Sequence, residues 1–255
     1  ITILGCGSSS GVPTIENGWG NCNPNNPKNY RSRASILVNI NGYHILVDTS
    51  PDLRAQALTN NIKQVDCVLF THEHSDHITG VDEIRSFNKL SKQSINCYLN
   101  QKTFNRLCSL FNYVLLNPED IKTKGFYRPV LIPNIIKDKD IIQLNNNEIT
   151  IKALEHSHGT TQAMGYKFNN KFAYITDILD FPNQATINEY KNLDLIIIGA
   201  CVLKEHRSHM TIQKVVNMLT STLKPKRAFL THMAEGIDFD KESENLKHNN
   251  INNIF

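Results

Sequence analysis

Short apolar segments alternate with polar turns along most of the chain. The segments are rich in Ile, Val, Phe and Tyr, residues that favour extended backbone and pack well on a pleated sheet. Their lengths are typical of strands rather than helices. We therefore predict strands at 1–4, 35–40, 43–48, 65–70, 95–99, 148–154, 164–168, 171–176, 193–199 and 227–231.

Helical spacing occurs between some of these strands. Apolar residues recur at i, i+3, i+4 and i+7 within 211–220, and a similar apolar face runs through 101–111. Asp52, directly after Pro51, is placed to cap a further helix over 53–60. Asn41-Gly42 favours a tight turn between two strands. Hairpins followed by alternating strands and helices predict an α/β protein with mixed sheets covered by helices.

The segment 112–140 departs from this pattern. It carries three prolines and little periodicity, so we predict a long surface excursion or lid there. The chain shows no internal repeat. Its 255 residues fit one domain, and we predict a single domain over 1–255.

Composition narrows the class of protein without choosing a function. Apolar residues at 40% and charged residues at 20% are typical of a soluble globular protein. The formal net charge of +3 is too small to indicate a nucleic-acid surface. No apolar run approaches the roughly 18 residues of a membrane span, and the first residues lack the features of a signal peptide. The expected location is therefore the cytoplasm.

The cysteines favour the same environment. They are scattered without a C-x-x-C pair, and several lie inside apolar runs, which is typical of reduced core thiols rather than a disulfide framework. The six are Cys6, Cys22, Cys67, Cys97, Cys108 and Cys201.

The densest polar cluster directly follows the predicted strand at 65–70. Residues 71–77 read THEHSDH, in which imidazole and carboxylate groups suit divalent metals of borderline hardness. His72 and His74 have the spacing to point at one ion. Asp76 and His77 face a second ion, because four side chains in six residues cannot all converge on one tetrahedral centre with a solvent position left open. The motif predicts a metal site, since chance rarely produces H-x-H-x-D-H.

Three further residues of ligand type each follow a predicted strand. His156 follows 148–154, Asp177 follows 171–176, and His232 follows 227–231. Loops at strand ends share one rim of a sheet, so we predict that these residues lie with the motif.

THEHSDH, taken with His156, Asp177 and His232, resembles the metallo-β-lactamase superfamily over nearly the whole chain. The resemblance implies a four-layer αββα sandwich, two mixed β-sheets flanked by helices, with a dinuclear metal site at one edge. By the same resemblance, the ligands of one ion are His72, His74 and His156, those of the other are Asp76, His77 and His232, and Asp177 bridges both. Two such ions activate a bridging hydroxide as the nucleophile, which implies a hydrolase with Asp76 as a catalytic residue.

Asp48, in ILVDTS, matches the superfamily's aspartate after an early strand, which orients a ligand histidine. On the sequence alone, a helix cap is an equal alternative for this residue.

Two other stretches indicate a branch of the superfamily. LGCGSSSGVPT and YRSRAS resemble the branch of phosphoribosyl cyclic phosphodiesterases and tRNase Z, which implies cleavage of a phosphodiester in a small cyclic-phosphate or nucleotide-like substrate. His209 matches the histidine that this branch uses near the leaving group, so it is implied to be the general acid. We expect His206, His158 and Ser9 in the outer shell of the site or lining the substrate.

The ligand types do not fix the identity of the metals. Ligands that are all His and Asp suit zinc, manganese or iron, and we expect two ions of zinc or manganese, with iron as an alternative. Members of this branch can carry a structural zinc held by three N-terminal cysteines and a histidine. Here only Cys22 remains of those cysteines and Glu235 stands at the position of the histidine, so we predict no structural zinc.

Several alternatives share the same ligands and stay open. One is a carboxyl-ester hydrolase of the thioesterase or glyoxalase II type, and another is a tRNA 3′-processing endonuclease. Nucleic acid is not favoured as a partner, because 112–140 lacks a Gly-rich, strongly basic arm. The basic residues Lys122, Lys124 and Arg128 in this segment keep it as an alternative. A non-enzymatic metal-binding module is disfavoured, because all seven ligand positions are filled. A homodimer is plausible, and no membrane partner is expected.

Overall fold

The computed structural model describes residues 1–115 and 128–255. The chain divides into two compact units, unit 1 with residues 1–5 and 33–136 and unit 2 with residues 6–32 and 137–255. Each unit has its own six-stranded mixed sheet and its own apolar core. The excursion predicted at 112–140 falls partly on residues 116–127, which lie outside the described residues, so the lid stays a prediction.

In unit 1 the sheet has the strand order β1-β2-β3-β4-β5-β6. The strands are β1 (Thr2–Gly5), β2 (Ser35–Ile40), β3 (Tyr43–Val47), β4 (Cys67–Leu69), β5 (Ile95–Leu99) and β6 (Leu131–Ile135). The first three are antiparallel neighbours, whereas β3 to β6 run parallel. The helices are α1 (Leu53–Thr59), α2 (Ser75–Ile78), α3 (Ile84–Ser91) and α4 (Gln101–Leu110), with a 3-10 turn at Thr79–Glu83. Their buried aliphatic and aromatic side chains form the core of unit 1.

In unit 2 the order is β12-β11-β10-β9-β8-β7. The strands are β7 (Ile141–Leu144), β8 (Ile149–His158), β9 (Thr161–Phe168), β10 (Phe172–Ile175), β11 (Leu195–Gly199) and β12 (Arg227–Thr231). Strands β7 to β10 are antiparallel, and β10, β11 and β12 are parallel. The helices are α5 (Gln184–Glu189), α6 (Ile212–Met218) and α7 (Phe239–His248), with 3-10 and π turns at Pro27–Asn29 and Leu219–Leu223.

All ten predicted strands are confirmed, and two further strands within residues 1–115 and 128–255 were missed. The first is β6, which contains Pro133 and lies at the edge of its sheet, where the missing N–H of a proline is tolerated. The prediction of an excursion is therefore wrong for 131–135. The second is β7, which is only four residues long and follows the charged stretch KDKD.

The local predictions have mixed outcomes. Asn41 and Gly42 have φ of 53° and 82°, which confirms the tight turn between β2 and β3. Helix α1 begins after Asp52 as predicted, but the side-chain cap is wrong. The Asp52 carboxylate instead accepts the backbone N–H of Arg33 at 2.8 Å and pairs with its guanidinium at 3.1 Å, because a charged partner competes with the helix N–H groups.

The structure also bears on the predictions for the cysteines and for membrane spans. The six cysteines are free thiols, as predicted. Within residues 1–115 and 128–255, no helix combines the length and the apolar character that crossing a bilayer requires.

Gly80 holds the turn after the THEHSDH motif against the loop after β3. Its N–H donates to the Thr49 carbonyl at 2.9 Å, and a Cβ at this position would lie 1.9 Å from the Ser50 carbonyl oxygen. We expect Gly80→Ala to lower the free energy of unfolding by about 3 kcal/mol, because backbone rather than a flexible side chain must move. Chemical denaturation measures this loss. Gly236→Ala is the control, since its Cβ would meet no atom within 4 Å; equal losses in the two variants would contradict the argument.

Candidate metal centre

In unit 1 the ligand-type residues follow the C-terminal end of β4. We call His72, His74, Asp76 and His77 the N-terminal donor cluster. The His72 ring centroid lies 4.5 Å from that of His74 and 4.3 Å from that of His77, and Asp76 Oδ2 lies 3.1 Å from His77 Nε2. His74 is exposed, whereas the other three are buried. The short helix α2 brings Asp76 and His77 around the turn, as the motif predicted.

Asp48 orients this cluster from the end of β3. Its carboxylate accepts the His77 Nδ1–H at 2.7 Å and both the backbone N–H and the hydroxyl of Thr71, at 2.7 and 2.8 Å. Burial raises the pKa of the Asp48 carboxyl, while His77 and Thr71 oppose that rise. A proton held on Nδ1 leaves Nε2 of His77 as the lone-pair nitrogen, the arrangement seen in histidines that bind metals. Asp48 is therefore not a helix cap, and Thr71 is a partner that the sequence did not reveal.

We expect Asp48→Asn to lower metal affinity and activity about 10- to 100-fold, because the amide cannot replace the carboxylate as acceptor of the His77 proton. Metal content after dialysis and kcat/KM with saturating metal both test this. Asp52→Asn makes the same chemical change in unit 1 at the Arg33 pair and serves as the control. A loss of the same size in the control would mean that the effect on Asp48 is not specific.

In unit 2 the ligand-type residues meet where three parallel strands end side by side. Asp177 follows β10, Cys201 follows β11 and His232 follows β12, while β8 ends in His158 and His209 stands on the loop before α6. We call these five residues the C-terminal donor cluster. Neighbouring parallel strands carry their C-terminal loops to one rim, which is why residues far apart in sequence gather here.

Asp177 is the centre of this cluster. Its Oδ1 lies 3.1 Å from His232 Nε2, 3.6 Å from His158 Nε2 and 3.9 Å from His209 Nδ1. Its Oδ2 accepts the hydroxyl of Thr176 at 2.7 Å. Three imidazoles thus surround one oxygen of a buried carboxylate whose other oxygen is held by its neighbour.

The structure places His158, and not His156 as predicted, with the other ligand-type residues. Groups of metal-ligating type among the described residues include His158 with Asp177 and His209, and none of them includes His156. His158 is the last residue of β8, whereas His156 stands two residues, or about 6.6 Å, back along the strand. The His156 Nε2–H donates to the Thr176 carbonyl at 2.9 Å, and burial lowers the pKa of His156 to about 4. Its role is to support the strand end that carries Asp177.

His158 is held as a metal ligand requires. Its Nδ1–H donates to the Ser208 carbonyl at 2.8 Å, which leaves Nε2 facing Asp177. The turn after it is tight, because Gly159 has φ of 67° and a Cβ there would come within 3.0 Å of both Ser208 and the Arg207 carbonyl. The close approach of Gly159 to Arg207 and Ser208 also packs the turn against the loop that carries His209.

His209 packs within the cluster, and His206 lies beside it. The His209 ring centroid is 4.8 Å from that of His158 and 5.2 Å from those of His206 and His232. Burial lowers the pKa of His209 to about 3, with Asp177 acting against the shift. His206 is exposed on the same loop. Ser9 is also exposed, next to Ser8, whose N–H donates to the carbonyl of Met233, the residue after His232.

Backbone strain marks the same positions. Among the described residues, fifteen other than glycine have positive φ, and only Asp48, Asp177 and His232 of these are buried, with φ of 64°, 51° and 57°. Such conformations cost of order 1 kcal/mol or more each and concentrate at functional sites. The fold therefore holds these three side chains in orientations that an ordinary strand end would not give.

The positions considered for a structural zinc carry other contacts. The Cys22 thiol donates to the carbonyls of Glu235 and Ile237 at 3.3 and 3.1 Å, and the Glu235 carboxylate accepts the Asn17 amide at 2.9 Å. The absence of a structural zinc stays a prediction.

The donor atoms fit divalent metal ions. Ligands about 2.0 to 2.2 Å from a tetrahedral ion lie about 3.3 to 3.6 Å apart. The separations of 3.1 Å between Asp76 and His77 and between Asp177 and His232 are close to the lower end of this range. His77 and His158 each keep a lone-pair nitrogen, because the other nitrogen donates to an acceptor behind it. Buried carboxylates beside imidazole nitrogens are a donor set that a cation stabilises.

Comparison with known proteins adds the family context. The profile of the family described as "Beta-lactamase superfamily domain" matches residues 43–233. The chain is 29% identical over 242 residues to an octanoyltransferase from Porphyromonas gingivalis, covering 94% of this chain and 47% of that protein. It is 29% identical over 150 residues to a ribonuclease Z from Nanoarchaeum equitans, covering 49% of this chain and 47% of that protein. The chain thus spans about half the length of these curated relatives.

A solved structure matches over almost the whole chain. It is described as a new diphosphatase from the PhnP family, with a TM-score of 0.85 and 29% identity, covering 99% of this chain and 91% of that chain.

Proposed function

This chain belongs to the metallo-β-lactamase superfamily, and from that premise we propose that it is a metal-dependent hydrolase of phosphodiester-type bonds. Its two mixed six-stranded sheets with flanking helices confirm the predicted fold class. Seven residues taken from the two donor clusters would hold two divalent ions, zinc or manganese. The proposed ligands are His72, His74, Asp76, His77, His158, Asp177 and His232.

The observation that carries this proposal is the likeness to the PhnP-family diphosphatase, which extends over 99% of the chain at 29% identity. A diphosphatase cleaves a bond between phosphoryl groups, and the ribonuclease Z relative is by name an enzyme acting on RNA. Both names favour a phosphorus-centred reaction. A small phosphorylated substrate is favoured over nucleic acid, because the overall charge is close to neutral.

The residues of the site have separate parts in the proposed hydrolysis. Divalent ions held by these residues would lower the pKa of a bound water and would neutralise charge on the phosphoryl group. Asp48 keeps His77 in the tautomer that presents Nε2, and Ser208 does the same for His158. His209 stands beside Asp177 with its ring partly exposed, where it delivers a proton to the departing oxygen. Since desolvation favours the neutral imidazole, the anionic substrate must supply the charge that lets His209 hold that proton.

The test is a panel of assays on the full chain, stripped of metal and then reloaded with zinc or manganese. The substrates are bis(p-nitrophenyl) phosphate, a ribose cyclic phosphate, a dinucleoside diphosphate, a tRNA precursor and an acyl thioester. We expect metal-dependent turnover of at least one small phosphorus substrate and none with chelator present. Activity on the thioester alone would overturn the proposal.

A carboxyl-ester or thioester hydrolase is the second candidate, favoured by the match to the octanoyltransferase over 94% of this chain. That match covers only 47% of the relative, so its name describes a protein about twice as long. The thioester arm of the panel separates the two candidates, and turnover of the tRNA precursor alone would identify an endonuclease.

A further inference from the structure

Cys201 has no part in the hydrolytic machinery described above, yet it lies inside the C-terminal donor cluster. It is buried and follows β11, the central strand of the parallel trio β10, β11 and β12. The neighbouring strands are followed by Asp177 and His232, and the strand register pairs Ile175 with Ile198 and Gly199 with Thr231. The same topology that gathers the oxygen and nitrogen donors therefore brings a sulfur donor to their rim.

The distances place a three-donor set within unit 2, and Asp177 lies beside two of its members. The Cys201 thiol and one ring nitrogen each of His209 and His232 all lie within 4.8 Å of one another. Asp177 Oδ1 lies 3.1 Å from His232 Nε2 and 3.9 Å from His209 Nδ1. Ligands on one tetrahedral zinc ion, with a Zn–S bond of about 2.3 Å, lie about 3.3 to 3.7 Å apart. The separations within the set of Cys201, His209 and His232 exceed this range by at most about 1.5 Å, so binding of one ion draws these side chains together.

We propose that Asp177, Cys201, His209 and His232 bind one thiophilic divalent ion, such as Zn²⁺, Co²⁺ or Cd²⁺, in a mode distinct from the hydrolytic one. A sulfur–metal bond forms and the thiol proton passes to solvent when the ion binds. A thiolate selects softer ions over manganese, whose preferred ligands are oxygens. The cysteine thus gives unit 2 a metal preference that the His and Asp ligands alone do not have.

Binding of a thiophilic ion in this mode should inhibit hydrolysis, an expectation that rests on the proposed function. An ion held by His209 occupies the nitrogen that would otherwise carry the proton for the leaving group. Cd²⁺ is therefore expected to inhibit hydrolysis by the manganese-loaded protein. Inhibition is measured for wild type and for Cys201→Ser, each relative to its own rate without Cd²⁺. We expect at least about 10-fold weaker inhibition in Cys201→Ser than in wild type, because one of the four ligands has been removed.

The decisive experiment measures binding without substrate. Metal-free full-length protein is titrated with Co²⁺, and the near-ultraviolet charge-transfer band of a cobalt–thiolate bond is recorded. We expect the band in wild type and in Cys108→Ser, a control at the half-buried cysteine of α4, and no band in Cys201→Ser. A band that persists in Cys201→Ser, or that is missing from wild type, overturns the proposal.

A second variant covers the case in which Cys201→Ser does not fold. His209→Asn changes a residue on the loop before α6, and it should keep the thiolate band while lowering Cd²⁺ affinity at least about 10-fold by calorimetry. Unchanged Cd²⁺ affinity in this variant overturns the four-ligand set. The band is independent of turnover, so a protein that shows it but hydrolyses none of the panel substrates refutes the proposed function and leaves this inference standing.

Discussion

Asp76→Asn should reduce kcat/KM by about 1,000-fold or more, equivalent to about 4 kcal/mol of transition-state stabilisation. The Asp76 carboxylate lies 3.1 Å from His77 Nε2, the separation of two ligands on one ion. An amide offers a neutral oxygen in place of a charged one, so the ion that it shares with His77 is lost or misplaced. Steady-state kinetics with saturating metal, together with metal content by mass spectrometry, measure the effect.

The matched control for this change lies in the same heptapeptide. Glu73→Gln makes the same carboxylate-to-amide change at a residue whose partner is the exposed Lys102, at 2.8 Å. We expect its kcat/KM to stay within about threefold of wild type, because Glu73 is not among the proposed ligands. Thermal unfolding should show both variants folded. Wild-type rates in Asp76→Asn would remove Asp76 from the catalytic set.

His209→Gln should slow substrates with poor leaving groups by about 100- to 10,000-fold, the range that general acid catalysis contributes. The glutamine keeps a similar length and hydrogen bonding but cannot transfer a proton. The expected loss depends on the leaving group, because an alkoxide must be protonated as it departs and p-nitrophenolate need not be. The comparison of a ribose cyclic phosphate with bis(p-nitrophenyl) phosphate in the same variant measures this dependence.

The leaving-group comparison also separates catalysis from packing. If His209 only filled space beside His158 and His232, its replacement would slow both substrates equally. A purely structural loss would also lower the melting temperature. Equal losses on the two substrates would therefore refute the role as general acid and leave His209 as a packing residue.

The strands and the metal motif could be predicted because their signals are local. Apolar runs of Ile, Val and Phe specify strands by composition and length, and THEHSDH concentrates ligand chemistry in seven consecutive residues. The strands β6 and β7 escaped because a proline at a sheet edge and a four-residue run carry weak local signals. The cap at Asp52 failed because its partner Arg33 is nineteen positions away in the chain.

The choice between His156 and His158 could not be made from the sequence. The two residues are i and i+2 on β8 and point to the same face, so periodicity cannot separate them. Only the register of β8 against β9 decides that His158 stands at the strand end beside Asp177, while the buried ring of His156 donates to the Thr176 carbonyl.

The sequence by itself determined the α/β class, most of the strands and the ligand-type residues of unit 1, because these depend on neighbours within a few residues. Tertiary structure alone decided that Asp48 accepts a hydrogen bond from His77 Nδ1–H and that Asp48, Asp177 and His232 adopt positive φ. It also brought Cys201 to the rim where β10, β11 and β12 end. The physical reason is that parallel strands join residues that the chain separates by tens of positions, and no local pattern records which of them will be neighbours.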